Sequence, residues 1–148
     1  MPPILLITLT TDFGEGSPYV GAMKGVILSL NPSVRIVDVT HAVPPQDVRR
    51  GAIVLDKITP LYPSGSLHVA VVDPGVGTAR SVIYAEIGDQ RYIGPDNGLF
   101  SRLASRLGAS KIRAITEERW FRQPVAPTFH GRDIMAPAAA HLSLGVGS

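Results

Sequence analysis

Residues 66–80 read SLHVAVVDPGVGTAR, an apolar strand that runs into an acid, a glycine-rich loop and then an arginine. Alternation and β-branching at Leu67, Val69, Val71 and Val72 predict a buried strand, and Pro74 with Gly75 stops it just after Asp73. In a parallel α/β sheet, ligands bind at the carboxyl ends of the strands, so Asp73 stands where chemistry is expected. Arg80 follows seven residues on, across a loop long enough to fold back. A charge-assisted Asp73–Arg80 pair is therefore expected, serving either catalysis or simply the bracing of a turn.

Outward from this strand the chain alternates between strand and helix patterns. Upstream, Ile4 to Leu9 is a short apolar strand closing on Thr10, Thr11 and Asp12, a second acid at a strand end. Ser17 and Pro18 form a helix start, and Val20, Met23, Ile27 and Leu30 follow at helical spacing until Asn31 and Pro32. Residues 34–39 form a further strand that ends on Thr40 and His41. A helix is expected over 46–59, with Val48, Ala52, Leu55 and Ile58 on one face. Downstream of Arg80, two apolar runs separated by Gly88 and Asp89 predict a hairpin, and PDNG at 95–98 a turn. Leu99, Leu103 and Leu107 mark a short helix capped by Gly108, residues 111–116 a strand, and an Ala-rich helix begins near Gly131, in which Pro137 fits only near the start or as a kink. The expected fold is a layered α/β sheet, mostly parallel with one hairpin, flanked by helices.

Composition narrows the function. A chain of 148 residues, 45% hydrophobic and 18% charged, suits one compact domain. A net charge of +2 with dispersed basic residues gives no support for a nucleic-acid partner. With no cysteine, disulfides, thiolate catalysis and Cys-ligated metals are excluded, and a cytoplasmic location is expected. The first residues read as a strand, without the basic start of a signal peptide, and no apolar run approaches the ~20 residues of a membrane span.

Asp12, Thr40 with His41, and Asp73 converge on one sheet edge if their strands are parallel neighbours. His130, just before the last helix, is the next candidate, whereas His41 and His141 read as structural or surface groups. No histidine–acid spacing supports a metal site, no G-x-G-x-x-G or Walker loop supports a nucleotide phosphate, and no G-x-S-x-G elbow supports a serine hydrolase.

Six ordered motifs, TTDFG at 10–14, YVGAMKG at 19–25, DVTH at 38–41, VVDPGVGTAR at 71–80, PDNG at 95–98 and TFHGRD at 128–133, resemble the S-adenosylmethionine (SAM) hydroxide adenosyltransferases. This family of adenosine-forming SAM hydrolases is related to the fluorinases and chlorinases. The resemblance implies hydrolysis of SAM to adenosine and L-methionine by water or hydroxide attacking ribose C5′, with no cofactor and no metal. It places a catalytic Asp–Arg–His set at Asp73, Arg80 and His130 and a ribose-binding carboxylate at Asp12, with Tyr19, Asn97 and Phe129 as further substrate contacts. It also implies that residues 1–148 are an N-terminal catalytic domain, that a smaller β-barrel domain lies beyond them, and that the ligand sits between subunits of a homotrimer. Halogenating relatives carry other residues in place of the polar set, so a halogenase is one alternative and a non-catalytic SAM- or adenosine-binding domain another. Ser17 departs from the family, which often has an acid there near the methionine end of the ligand.

Overall fold

The computed structural model describes residues 4–145. Six strands form one sheet: β1 (Leu6–Thr11), β2 (Arg35–Thr40), β3 (Leu67–Val71), β4 (Val82–Ile87), β5 (Gln90–Pro95) and β6 (Ala109–Ala114). Their spatial order is β2-β1-β3-β5-β4-β6. β1 pairs in parallel with both β2 and β3, and β3 with β5, whereas β4 is antiparallel to β5 and to β6. Five strands thus run one way and β4 alone is reversed. The mixed α/β architecture expected from the alternation is the one observed.

Helices α1 (Pro18–Leu30), α2 (Val48–Ile58), α3 (Ser101–Leu107) and α4 (Ala136–Ser143) cover the two faces. Alternation along β3 divides the core between them. Val69 and Val71 pack with Met23 and Ile27 of α1 and the alanines of α4, whereas Ala70 and Val72 pack with Leu55 of α2 and Leu103 of α3. Ser17 caps α1, accepting from the Tyr19 N–H, with Pro18 at the first helical position as expected. β1 and β6 each lie two residues from their expected positions, β1 later and β6 earlier, because pairing with neighbours sets strand ends more sharply than apolar runs do. Leu107 is 37% exposed, so the expected leucine face of α3 reduces to Leu103, with Leu99 buried ahead of the helix.

Pro137 is accommodated by a change of helix type. Residues Gly131–Met135 form a π turn before α4, so the proline falls in the first turn of the regular helix. Having no N–H, Pro137 leaves the Asp133 carbonyl free, and the Arg122 N–H takes it at 2.8 Å. That bond, and the Ala126 N–H donating to the Asp133 carboxylate at 2.8 Å, tie residues 122–126 to the start of the helix. Asp133 is fully buried. Burial alone would raise its carboxyl, but bonds from Arg132, Ala126 and Arg122 outweigh this and hold it below the usual carboxylate range.

Candidate active site

From β1 the chain passes through α1 to β2 on one side, then through α2 to β3 on the other, so the direction of winding switches between β1 and β3. A crevice opens outside the strand ends at such a point. Asp12 follows the end of β1 and Asp73 the end of β3, and both line a cavity of about 220 Å³ with Phe13, Tyr19, Gln46, Phe129, His130 and Arg132. Convergence of the two strand-end acids, expected from the sequence, is thus observed. His41 sits behind the cavity and not in its wall: its ring is buried and bonded to Thr11 and Asp38.

Asp73, Arg80 and His130 meet. The Arg80 Nε–H bridges both Asp73 oxygens at 3.0 Å, and Nη2 donates to Asp73 Oδ2 and to His130 Nδ1, the latter at 2.8 Å. The Asp73 and Arg80 side chains are only 5% and 11% exposed. A guanidinium only donates, so Nδ1 of His130 is an acceptor and the ring proton resides on Nε2. Burial and then the Arg80 charge lower the His130 pKa below its usual 6.5, against smaller opposing effects of Asp73 and Asp133, which keeps the ring neutral. These contacts consume the Nε and both Nη2 protons, and among the described residues no acceptor takes the two on Nη1; Arg80 itself is not among the residues that line the cavity, which it reaches through Asp73 and His130.

Two loops must touch for this cluster to form. Gly77 adopts φ 79°, and a Cβ there would stand 2.7 Å from the Pro127 carbonyl oxygen. Only glycine allows the 74–79 loop to lie so close to the segment leading to His130.

Around the cavity, the Tyr19 and Phe129 rings lie 4.7 Å apart at 32°, and Phe13 meets Tyr19 edge-on at 6.0 Å. The Arg132 guanidinium lies over Phe129, 5.0 Å from its centroid. Asn97 stands apart from the cavity lining: its Nδ2 donates to the Val72 carbonyl at 2.9 Å and its Oδ1 accepts from the Leu99 N–H, which braces the turn after β5 against the end of β3. Gln46 is a lining residue that composition and spacing do not reveal. Its φ of 63° is left-handed, and its N–H donates to Asp12 Oδ2 at 2.6 Å, which sets the carboxylate for a ligand. A non-glycine residue in a P-P-Q-D turn carries no mark of such a backbone. Among the described residues no cluster of His, Asp or Glu is arranged to hold a metal ion, and no helix is long and apolar enough to cross a membrane.

Comparison with known proteins identifies relatives of this chain. The chain is 49% identical over 146 residues to the (R)-S-adenosyl-L-methionine hydrolase of Salinispora tropica, covering 98% of this chain and 56% of that protein. A fluorinase of an Actinoplanes species is more distant, at 27% over 163 residues, covering 95% of this chain and 55% of that one. The crystal structure of an uncharacterized conserved protein from Thermotoga maritima superposes with a TM-score of 0.92 at 42% identity, covering 95% of this chain and 55% of its own. The chain spans about half the length of the curated relatives it matches. Residues 7–148 match the model of the SAM hydroxide adenosyltransferase N-terminal domain, and this chain belongs to that family.

Proposed function

We propose that the chain is the N-terminal catalytic domain of an enzyme that hydrolyses SAM to adenosine and L-methionine. The observation that carries the reading is the Arg80 guanidinium held between Asp73 and His130, two residues of the cavity that Asp12 also lines. The names of relatives 44–49% identical, all (R)-S-adenosyl-L-methionine hydrolases, support it.

The chemistry follows from the charges. A water oxygen bonds to ribose C5′ as the C5′–S bond breaks, and that bond's electron pair neutralises the sulfonium. Methionine leaves as a neutral thioether, so neither an acid nor a metal is needed on the leaving side. All the difficulty lies in the nucleophile. The Nη1 protons of Arg80 stabilise developing hydroxide, His130 orients the water through Nε2–H, and Asp73, whose carboxylate retains lone pairs beyond those given to Arg80, accepts the proton. Asp12, with Oδ2 fixed by Gln46, takes the ribose hydroxyls, and the Tyr19 and Phe129 rings exclude bulk water. A carboxylate at the nucleophile position repels an incoming halide, which favours water over halogenation.

The cavity, at about 220 Å³, falls below the ~300–1,000 Å³ of typical small-molecule sites. This supports a ligand completed from a second surface, which we assign to a β-barrel domain and a neighbouring subunit of a homotrimer. The cytoplasm is the proposed compartment because SAM is made and used there. Incubation of the protein together with its proposed β-barrel domain with SAM, and chromatography of the products, tests the reading: adenosine and methionine in equal amounts are expected. Bound adenosine without turnover would make this a binding domain, and a halide-dependent 5′-halo nucleoside would make it a halogenase.

A further inference from the structure

The DVTH motif at 38–41 takes no part in the mechanism above, yet it is bonded to the segment that carries Asp12. His41 is 3% exposed and sits on the turn after β2. Its Nδ1 lies 2.8 Å from Thr11 Oγ1, its carbonyl accepts from the Gly14 N–H at 2.8 Å, and its own N–H donates to Glu15 Oε1 at 3.0 Å. Thr11 Oγ1 in turn accepts from the Phe13 N–H at 3.2 Å. Behind the ring, Nε2 meets Asp38 Oδ1 at 2.7 Å, and the other Asp38 oxygen accepts from Lys24 of α1 at 2.7 Å.

Donor and acceptor roles follow from this set. Asp38 faces two donors: burial alone would raise its carboxyl, but the bonds from Lys24 and His41 outweigh that and keep it ionised. The ring proton therefore sits on Nε2, Nδ1 accepts from the Thr11 hydroxyl, and that hydroxyl still accepts from Phe13. On paper Thr11, His41 and Asp38 have the composition of a hydrolase triad. Thr11 is fully buried and its oxygen already receives the Phe13 N–H, so no substrate reaches it.

We propose that His41 is a positioning residue, locking the 11–15 segment so that Asp12 and Phe13 face the ligand. The inference rests on the SAM-hydrolase reading for its kinetic arm and on geometry alone for its exchange arm. Loss of the ring releases Thr11 and Phe13 while Asp73, Arg80 and His130 stay in place, so ligand grip suffers more than the chemical step.

The test compares His41→Ala with His41→Asn, whose amide oxygen can still accept from Thr11. In His41→Ala, KM for SAM is expected to rise about tenfold, the worth of one or two hydrogen bonds, with kcat changed much less, and His41→Asn is expected to recover most of the loss. In ligand-free protein, amide exchange at Phe13 and Gly14 is expected to accelerate in His41→Ala and return towards wild type in His41→Asn. Unchanged KM together with unchanged exchange overturns the proposal, as does equal damage in a folded His41→Asn. If His41→Ala does not fold, His41→Asn decides alone: near-wild-type KM and exchange support the positioning role, and the loss of either overturns it. Should wild type release no adenosine while the exchange pattern holds, the hydrolase reading fails and the positioning role stands.

Discussion

Arg80 concentrates on one guanidinium what the site needs from three groups. It fixes the Asp73 carboxylate and takes the Nδ1 lone pair of His130, and in the proposed mechanism its remaining protons meet a developing negative charge. On the proposed mechanism, truncating it removes a transition-state interaction and leaves the Asp12 side of the cavity untouched. Arg80→Ala is therefore expected to lower kcat by about 10³-fold with little change in ligand affinity, measured by turnover at saturating SAM and by adenosine titration. Unchanged turnover would return the Asp73–Arg80 pair to the status of a turn brace. His130 is expected to set the acid limit of the proposed reaction. Its pKa is depressed by burial and by Arg80, so the ring gains its proton in more acid solution than an ordinary imidazole does. Protonation takes away the lone pair that receives Arg80. The acid limb of kcat/KM is expected to have an apparent pKa below 6.5, and a limb above that value would contradict the geometry.

At the scale of elements, β3, whose end carries Asp73, packs against β5 with almost no space between them. Gly94 of β5 faces Ala70 of β3 with no space for a side chain, since a Cβ would stand 2.9 Å from the Ala70 carbonyl oxygen and 2.7 Å from the Phe100 ring. A strand backbone cannot retreat without breaking its ladder. Gly94→Ala is expected to cost about 2 kcal/mol or more in urea denaturation, and a neutral result would mean the strands are farther apart than described. The π turn at Gly131–Met135 plays a comparable part for the opposite loop. It carries Asp133, whose carbonyl is left free by Pro137 and whose bonds hold residues 122–126 on the way to His130. An Ala-rich helix is readable in the sequence, but its opening π turn is not, because it follows from where the proline meets a loop distant in sequence.

For the whole molecule, stability across pH is tied to His68, which lies in the core away from the cavity. Its ring is fully buried: Nε2–H donates to Gln90 Oε1 at 2.8 Å, Nδ1 accepts from the Thr8 hydroxyl at 2.6 Å, and Gln90 donates onward to the Tyr62 carbonyl. Burial lowers its pKa from 6.5 to about 4, against the opposing effect of Gln90. The unfolded chain takes up this proton below pH 6.5 and the folded one only near 4, so the contribution is complete above 6.5 and is lost as pH falls through that window. The loss approaches about 3 kcal/mol at its limit. Unfolding free energies measured between pH 7 and 4 are expected to fall accordingly, and a His68→Gln variant to lose that part of the slope. By itself the amino-acid sequence determined the strand–helix alternation, the two strand-end acids and the Ser17 cap, because periodicity and capping are local and survive without the fold. The Asp73–Arg80–His130 cluster was legible as candidates carried by motifs, and its contacts were not, since residues 50 positions apart meet only when Gly77 lets one loop press on another. Tertiary structure alone decided that Asn97 braces a turn outside the cavity lining, that Gln46 holds Asp12 with a left-handed backbone, and that His41 locks the segment behind it. Each of these rests on hydrogen bonds between separate loops, whose partners are chosen by packing and not by residue type.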